Sequence, residues 1–227
     1  MTKRRGILVA VSLMFLAAFS VWFCLVSLKN VFLTFVVYYL ICCIGVPVYD
    51  SLVLKKEGFN AMLNGLGLPR PSEKLLLLGI SHGLIIYGAM LGAYFLLKSS
   101  IDFAGVMKSV LSWGMPVSGK PLIFVIMVLC NGFVEEVFWR GYCMGSLLPA
   151  MSKTKAVLLT TLFYASYHMV TLFSFFGVSW LGVILVLVVV TAGLLWGFMR
   201  SYYKSIWPSA VGHMFATAGY MTIFLLI

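Results

Sequence analysis

Acidic residues are scarce: the 227-residue chain has six Asp and Glu against sixteen Lys and Arg. Only 10% of its residues are charged while 63% are hydrophobic, and the mean hydropathy is +1.09. A soluble domain carries roughly a quarter charged residues, so the balance excludes a soluble protein and indicates one integral to a membrane. The net charge of +10 is then no nucleic-acid footprint; the basic residues mostly flank apolar runs, where they act as topology signals. There is no CxxC, no Cys/His clustering and no HExxH. Cys24, Cys42, Cys43, Cys130 and Cys143 all fall in apolar segments, as buried small hydrophobes rather than disulfides or a zinc knot. Internal repeats, low-complexity tracts and a soluble domain are also missing, which leaves one membrane domain over 1–227.

What is present is long apolar runs. A bilayer core needs about 20 apolar residues per helix, and that criterion gives spans near 6–28, 31–53, 75–97, 122–148, 155–176, 178–199 and 205–227. The expected fold is therefore an all-α polytopic membrane protein with about seven, between six and eight, transmembrane helices. Lys3-Arg4-Arg5 before the first run resembles a signal peptide, but the run is too long and lacks an A-x-A site. An uncleaved first helix is expected. Two connectors carry helical periodicity: Phe59, Met62, Leu63 and Leu66 in 55–74, and Phe103, Val106, Met107, Val110 and Leu111 in 98–121. Both read as interfacial amphipathic helices, the second alternatively as a re-entrant element. With the N-terminus inside, eleven basic residues flank the cytoplasmic ends and four (Lys29, Lys98, Lys108, Lys120) the outer ends. That bias predicts a cytoplasmic N-terminus.

Ionisable residues at membrane depth cost at least ~2.5–3.5 kcal/mol each on insertion scales. Away from span ends they are His82, Glu135, Glu136, Arg140, His168 and His213; Asp50 lies close enough to an end to reach the headgroups. At ~1.5 Å per residue, Glu135 and His168 both lie ~20 Å from the cytoplasmic side and His213 ~12 Å. Glu136 and Arg140 are i, i+4 and can pair. Glu135 is turned ~100° away from Glu136, so one arginine need not neutralise both, and a carboxylate so placed can take a proton from water. His168 can share that work and His213 can donate to an oxyanion, with Thr217 one turn further on the same face. Buried Glu–Arg pairs also lock helices, and a single intramembrane histidine is often a packing residue; His82 is read that way. For the group spread over three helices, amide hydrolysis is the better account.

"EEVFWRGY" resembles the EExxxR motif of the CAAX-protease and bacteriocin-processing (CPBP, Abi) family of intramembrane endopeptidases. "LFYASYHM" is similar to its FxxxH motif, with Tyr164 at the aromatic position and His168 as the histidine. "WGFMRSYYKSIWPSAVGHMFATAG" is similar to its last region, although Thr217 stands where the pattern has Asn or Asp. The resemblance covers about 120–220, the expected catalytic core; 1–119 holds the remaining spans and connectors. It implies a helical fold with a membrane-embedded cavity, water activated by Glu135 and His168, His213 as an oxyanion donor, and Glu136, Arg140 and Thr217 in support. It also implies a membrane-associated peptide or protein substrate within the lipid bilayer. Metal-independent chemistry with no cofactor is the expectation and zinc the alternative, since two distant histidines and the glutamates make an incomplete ligand set.

Removing an oxyanion donor can cost ~10²–10³ in rate, so Thr217 opens a second reading: a catalytically impaired relative that binds or regulates membrane proteins. Small-xxx-small pairs at Gly88/Gly92 and Gly193/Gly197 would allow close helix contacts for either role. A transporter is disfavoured by the missing repeats. The compact length and short termini fit a bacterial plasma membrane.

Overall fold

The computed structural model describes residues 3–227, and among them there is no strand. Seven helices are long and apolar enough to cross a membrane: Gly6–Ser27, Val31–Leu54, Glu73–Ser100, Lys120–Leu147, Lys153–Phe176, Trp180–Tyr203 and Trp207–Leu226. They fall on the seven runs that hydropathy picks out, with ends shifted by a few residues, and the chain is an integral multi-pass membrane protein. Capping explains several starts. Ser72, Ser152 and Ser179 accept hydrogen bonds from the backbone N–H of Leu75, Lys155 and Gly182, satisfying donors that have no intrahelical partner.

Pairing between helices sets the architecture. The third span lies along the seventh, the sixth along the fifth, and the first also packs on the fifth. The seventh span closes on the first half of the fourth. Gly132 makes that approach possible: a Cβ there would come within 2.6 Å of the Met214 Cα. Gly193 and Gly197 likewise seat Thr161 and Val157 of the fifth span, whereas Gly88 and Gly92 face open space. Only one of the two small-residue pairs is therefore used inside the chain. The buried core runs through the first, second, fourth and fifth spans, around Met14, Tyr38, Cys43, Phe138, Trp139, Met144 and Val157. The cysteines are unpaired; Cys42, Cys43 and Cys143 are buried among these side chains, and Cys24 is buried as well.

Both connectors form helices, Phe59–Gly65 and Phe103–Ser112. The first does more than float at an interface. Met62 and Leu66 are buried in the core while Phe59 stays exposed, and the turn after it is tied down by Ile206 N–H to Gly67 O at 2.8 Å and Trp207 Nε1–H to Pro69 O at 2.7 Å. Gly67 has φ +74° and lies against the Arg200 guanidinium, where a Cβ would come within 2.8 Å. The second connector leans on the fifth span through Trp113 and Phe175, ring centroids 4.8 Å apart.

The fourth span is not a regular α-helix. Val128–Val134 and Val137–Cys143 are π-helical, on either side of Glu135 and Glu136. In a regular helix, at ~100° per residue, Asn131 and Arg140 would point to opposite sides. The wider i→i+5 turns place more residues in each turn, and Asn131, Glu135, Glu136 and Arg140 all end up buried.

Candidate active site

Glu135 and Glu136 are completely buried and adjacent, and they have different neighbours. Glu136 Oε1 accepts from Arg140 Nη1 at 2.7 Å, the i, i+4 pair that the spacing predicts. The same oxygen faces His213 Nδ1 at 3.2 Å. Arg140 is held from other directions too. Its Nη2 donates to Gly193 O at 3.3 Å, and its guanidinium lies 4.3 Å from the Tyr164 ring centroid and 5.5 Å from that of Trp196. Trp196 in turn stacks on His213 at 4.3 Å. A buried cation thus has a carboxylate, a carbonyl and two aromatic faces around it, which is how charge persists in a low-dielectric interior.

Glu135 meets no cation directly. Its Oε2 accepts a close hydrogen bond from Tyr167 Oη–H, and its Oε1, 3.3 Å from Tyr39 Oη, shares that hydroxyl's one proton with Asn131 Oδ1 at 2.9 Å. Tyr167 is fixed by flat stacking on Trp139, centroids 5.8 Å apart, and by the Tyr38 ring at 5.2 Å. Its hydroxyl also lies 3.4 Å from His168 Nε2, so Tyr167 stands between Glu135 and His168. The two residues, which the spacing puts at one depth, meet through a phenol rather than face to face.

The rings' protons follow from their partners. His168 Nδ1 donates to the Tyr164 carbonyl at 3.0 Å, so the neutral ring turns a lone pair on Nε2 toward Tyr167 and Glu135. His168 is half-buried. His213 is buried, and its Nδ1 faces a carboxylate. Its Nε2 lies 3.4 Å from Asn131 Nδ2 and 3.4 Å from Tyr164 Oη. A side-chain amide nitrogen offers only protons. Neutral His213 therefore donates through Nδ1 to Glu136 and accepts at Nε2.

Thr217, fully buried, accepts from Asn131 Nδ2 at 3.3 Å. The structure thus brings Glu136, Arg140 and His213 into direct contact. It links Glu135 to His168 through Tyr167, and to Thr217 through Tyr39 and Asn131. Among the described residues no three His, Cys, Asp or Glu side chains converge on a point suited to a metal ion. His82 lies apart, bonded through Nδ1 to the Leu78 carbonyl at 2.7 Å and packed on Gly212. Sequence reasoning missed Asn131, Tyr39, Tyr167 and Trp196 as members of this network, and singled out Tyr164 only as the aromatic residue of the FxxxH-like motif. Asn131 had a signal, a lone amide four residues before Glu135 in an apolar run, and Tyr167 is next to His168. Tyr39 had none, being an aromatic residue in a distant apolar span.

Residues 117–219, which hold all six of the expected site residues, match the family model described as type II CAAX prenyl endopeptidase Rce1-like. This region is Rce1-like. No curated protein and no solved structure matches the chain. The Rce1-like segment takes in the fourth, fifth and sixth spans and most of the seventh. Tyr39 and the first three spans lie outside it.

Proposed function

We propose that this protein is an intramembrane endopeptidase that hydrolyses a peptide bond in a membrane-associated peptide or protein. The observation that carries the reading is the pair of buried carboxylates in unlike settings, Glu136 against Arg140 and His213, Glu135 against tyrosine hydroxyls. The Rce1-like match over the same residues supports it. Three spans share the cost of burying this group, which a purely structural role does not require.

In the proposed reaction a water oxygen attacks the scissile carbonyl carbon. The water's proton passes to the Glu135 carboxylate, and the carbonyl π pair moves onto oxygen as an oxyanion. Glu135 then returns that proton to the amide nitrogen, the oxyanion pair re-forms the C=O, and the C–N bond breaks. An amine and a carboxylic acid leave, and Glu135 is ionised again. His168 Nε2, with its lone pair toward the site, helps to hold and orient the water. Glu136, Arg140 and His213 form a fixed electrostatic frame beside the reacting carbon. Every step uses the chain's own side chains and none uses a metal. The excess of basic residues at one set of span ends supports a cytoplasmic N-terminus.

A second reading, a catalytically impaired relative that binds membrane proteins, draws on the sealed state of Glu135. It is completely buried, with a tyrosine hydroxyl on each oxygen; substrate reaches it only when the surrounding helices part. The test is cleavage of a membrane-anchored peptide library, followed by mass spectrometry, with purified wild type, Glu135→Ala and His168→Ala, each with and without a chelator. Cleavage that survives Glu135→Ala sinks the mechanism, and loss of activity to the chelator sinks its metal-free form. A wild type that cleaves nothing favours the impaired relative.

A further inference from the structure

Neutral His213 has no proton to give at Nε2, because its single N–H is turned to Glu136. Two donors from other helices stand there, Tyr164 Oη and Asn131 Nδ2, each 3.4 Å from Nε2, and of the two Asn131 has two protons to offer. Asn131 is 7% exposed, and its side chain has a fixed orientation. Its Oδ1 accepts from Tyr39 Oη–H at 2.9 Å, so the NH2 end is directed at the seventh span. There it makes two long contacts, 3.4 Å to His213 Nε2 and 3.3 Å to Thr217 Oγ1. Good N–H···O bonds are shorter, ~2.9–3.0 Å, so both amide protons sit in weak bonds and can shift to a stronger acceptor. The amide is also one helical turn before Glu135, on the same buried face.

We infer that Asn131 is the oxyanion donor of the site, its Nδ2 protons turning from His213 and Thr217 to the substrate oxygen as negative charge develops there. The inference rests on the endopeptidase reading and adds a catalytic residue to it. An anionic oxygen is a better acceptor than either an imidazole nitrogen or a threonine hydroxyl. The donor is already oriented by Tyr39, so little reorganisation is needed at the moment of reaction. Thr217 then serves as the resting partner of the amide. Gly132 is what makes this transfer between helices feasible, because it lets the fourth and seventh spans touch backbone to backbone beside Asn131.

The test compares wild type, Asn131→Ala, Asn131→Asp, the double variant Asn131→Ala/Thr217→Asn, and Glu135→Gln, all as full chains in detergent, on the membrane-anchored peptide library. Asn131→Ala is expected to lower kcat about 10²–10³-fold with KM nearly unchanged, as for loss of one oxyanion donor. Asn131→Asp keeps the size and one carbonyl-type oxygen but removes both amide protons, and is expected to lose as much. The double variant returns an amide to the same place from the other side, since position 217 lies 3.3 Å from Nδ2. It is expected to recover at least about tenfold over Asn131→Ala, which repair of a folding defect would not produce. Thermal unfolding of each variant separates lost chemistry from lost structure. Asn131→Ala or Asn131→Asp turning over within about twofold of wild type would overturn the inference while leaving the endopeptidase reading intact, provided Glu135→Gln is dead. A folded double variant with no recovery also overturns it. Wild type and Glu135→Gln that are equally inactive overturn the endopeptidase reading, and this inference with it.

Discussion

Glu135 and Glu136 are neighbours in sequence and equally buried, yet one faces a guanidinium and an imidazole and the other faces phenols. Glu136 shares a single oxygen between Arg140 and His213. Glu135 has one tyrosine hydroxyl on each oxygen. An ion pair neutralises a carboxylate and fixes it in place, whereas neutral donors hold its position and leave its charge uncompensated. In the mechanism we propose, the contrast separates a carboxylate that holds the site from one that reacts.

The sharpest way to break this comparison is to neutralise each member in turn. Glu135→Gln is expected to reduce peptide cleavage by about 10²–10⁴-fold, the usual contribution of a general base, with a nearly wild-type thermal unfolding midpoint. Equal loss of stability would show that Glu135 is structural after all. Arg140→Ala is expected to cost ~3–5 kcal/mol in unfolding free energy, because it strands the Glu136 charge in the interior; an unfolding curve superimposable on wild type would remove the frame from the account. Tyr167→Phe deletes one buried hydrogen bond and leaves a Glu135 oxygen without its partner, ~1–3 kcal/mol, and is expected to slow turnover by about tenfold or more. Unaltered kinetics would mean that the phenol only fills space. At the small end, Gly88→Ala faces open space and is expected to stay within about 0.5 kcal/mol of wild type, while Gly197→Ala meets Val157 at 2.9 Å and is expected to destabilise more. Reversal of that order in unfolding measurements would contradict the helix pairing.

The spans were legible because apolar length is a one-dimensional property, and it located all seven. The Glu136–Arg140 pair was legible for a similar reason, since both partners sit on one helix four residues apart. Partners from other helices were not. Tyr39 reaches Glu135 from the second span and Trp196 stacks on His213 from the sixth, and no spacing rule links aromatic residues in separate apolar runs. The sequence also marks Thr217 as the weak member of the site by looking along its own helix, whereas the amide beside it comes from Asn131, 86 residues earlier. Depth arithmetic left His213 about two turns short of the glutamates; the contact with Glu136 closes that gap.

The π-helical turns of the fourth span have a consequence for how this protein can change over time. A π turn holds one residue more than an α turn, so deleting any single residue of 128–134 would let the segment relax to regular helix. Because the lost residue is the one the wide turn had absorbed, the helix before the deletion would keep nearly its direction relative to the glutamates. The π turns therefore let this span take up a one-residue change in length that a regular helix could take up only by swinging its upstream half by ~100°, with the string EEVFWRGY unbroken.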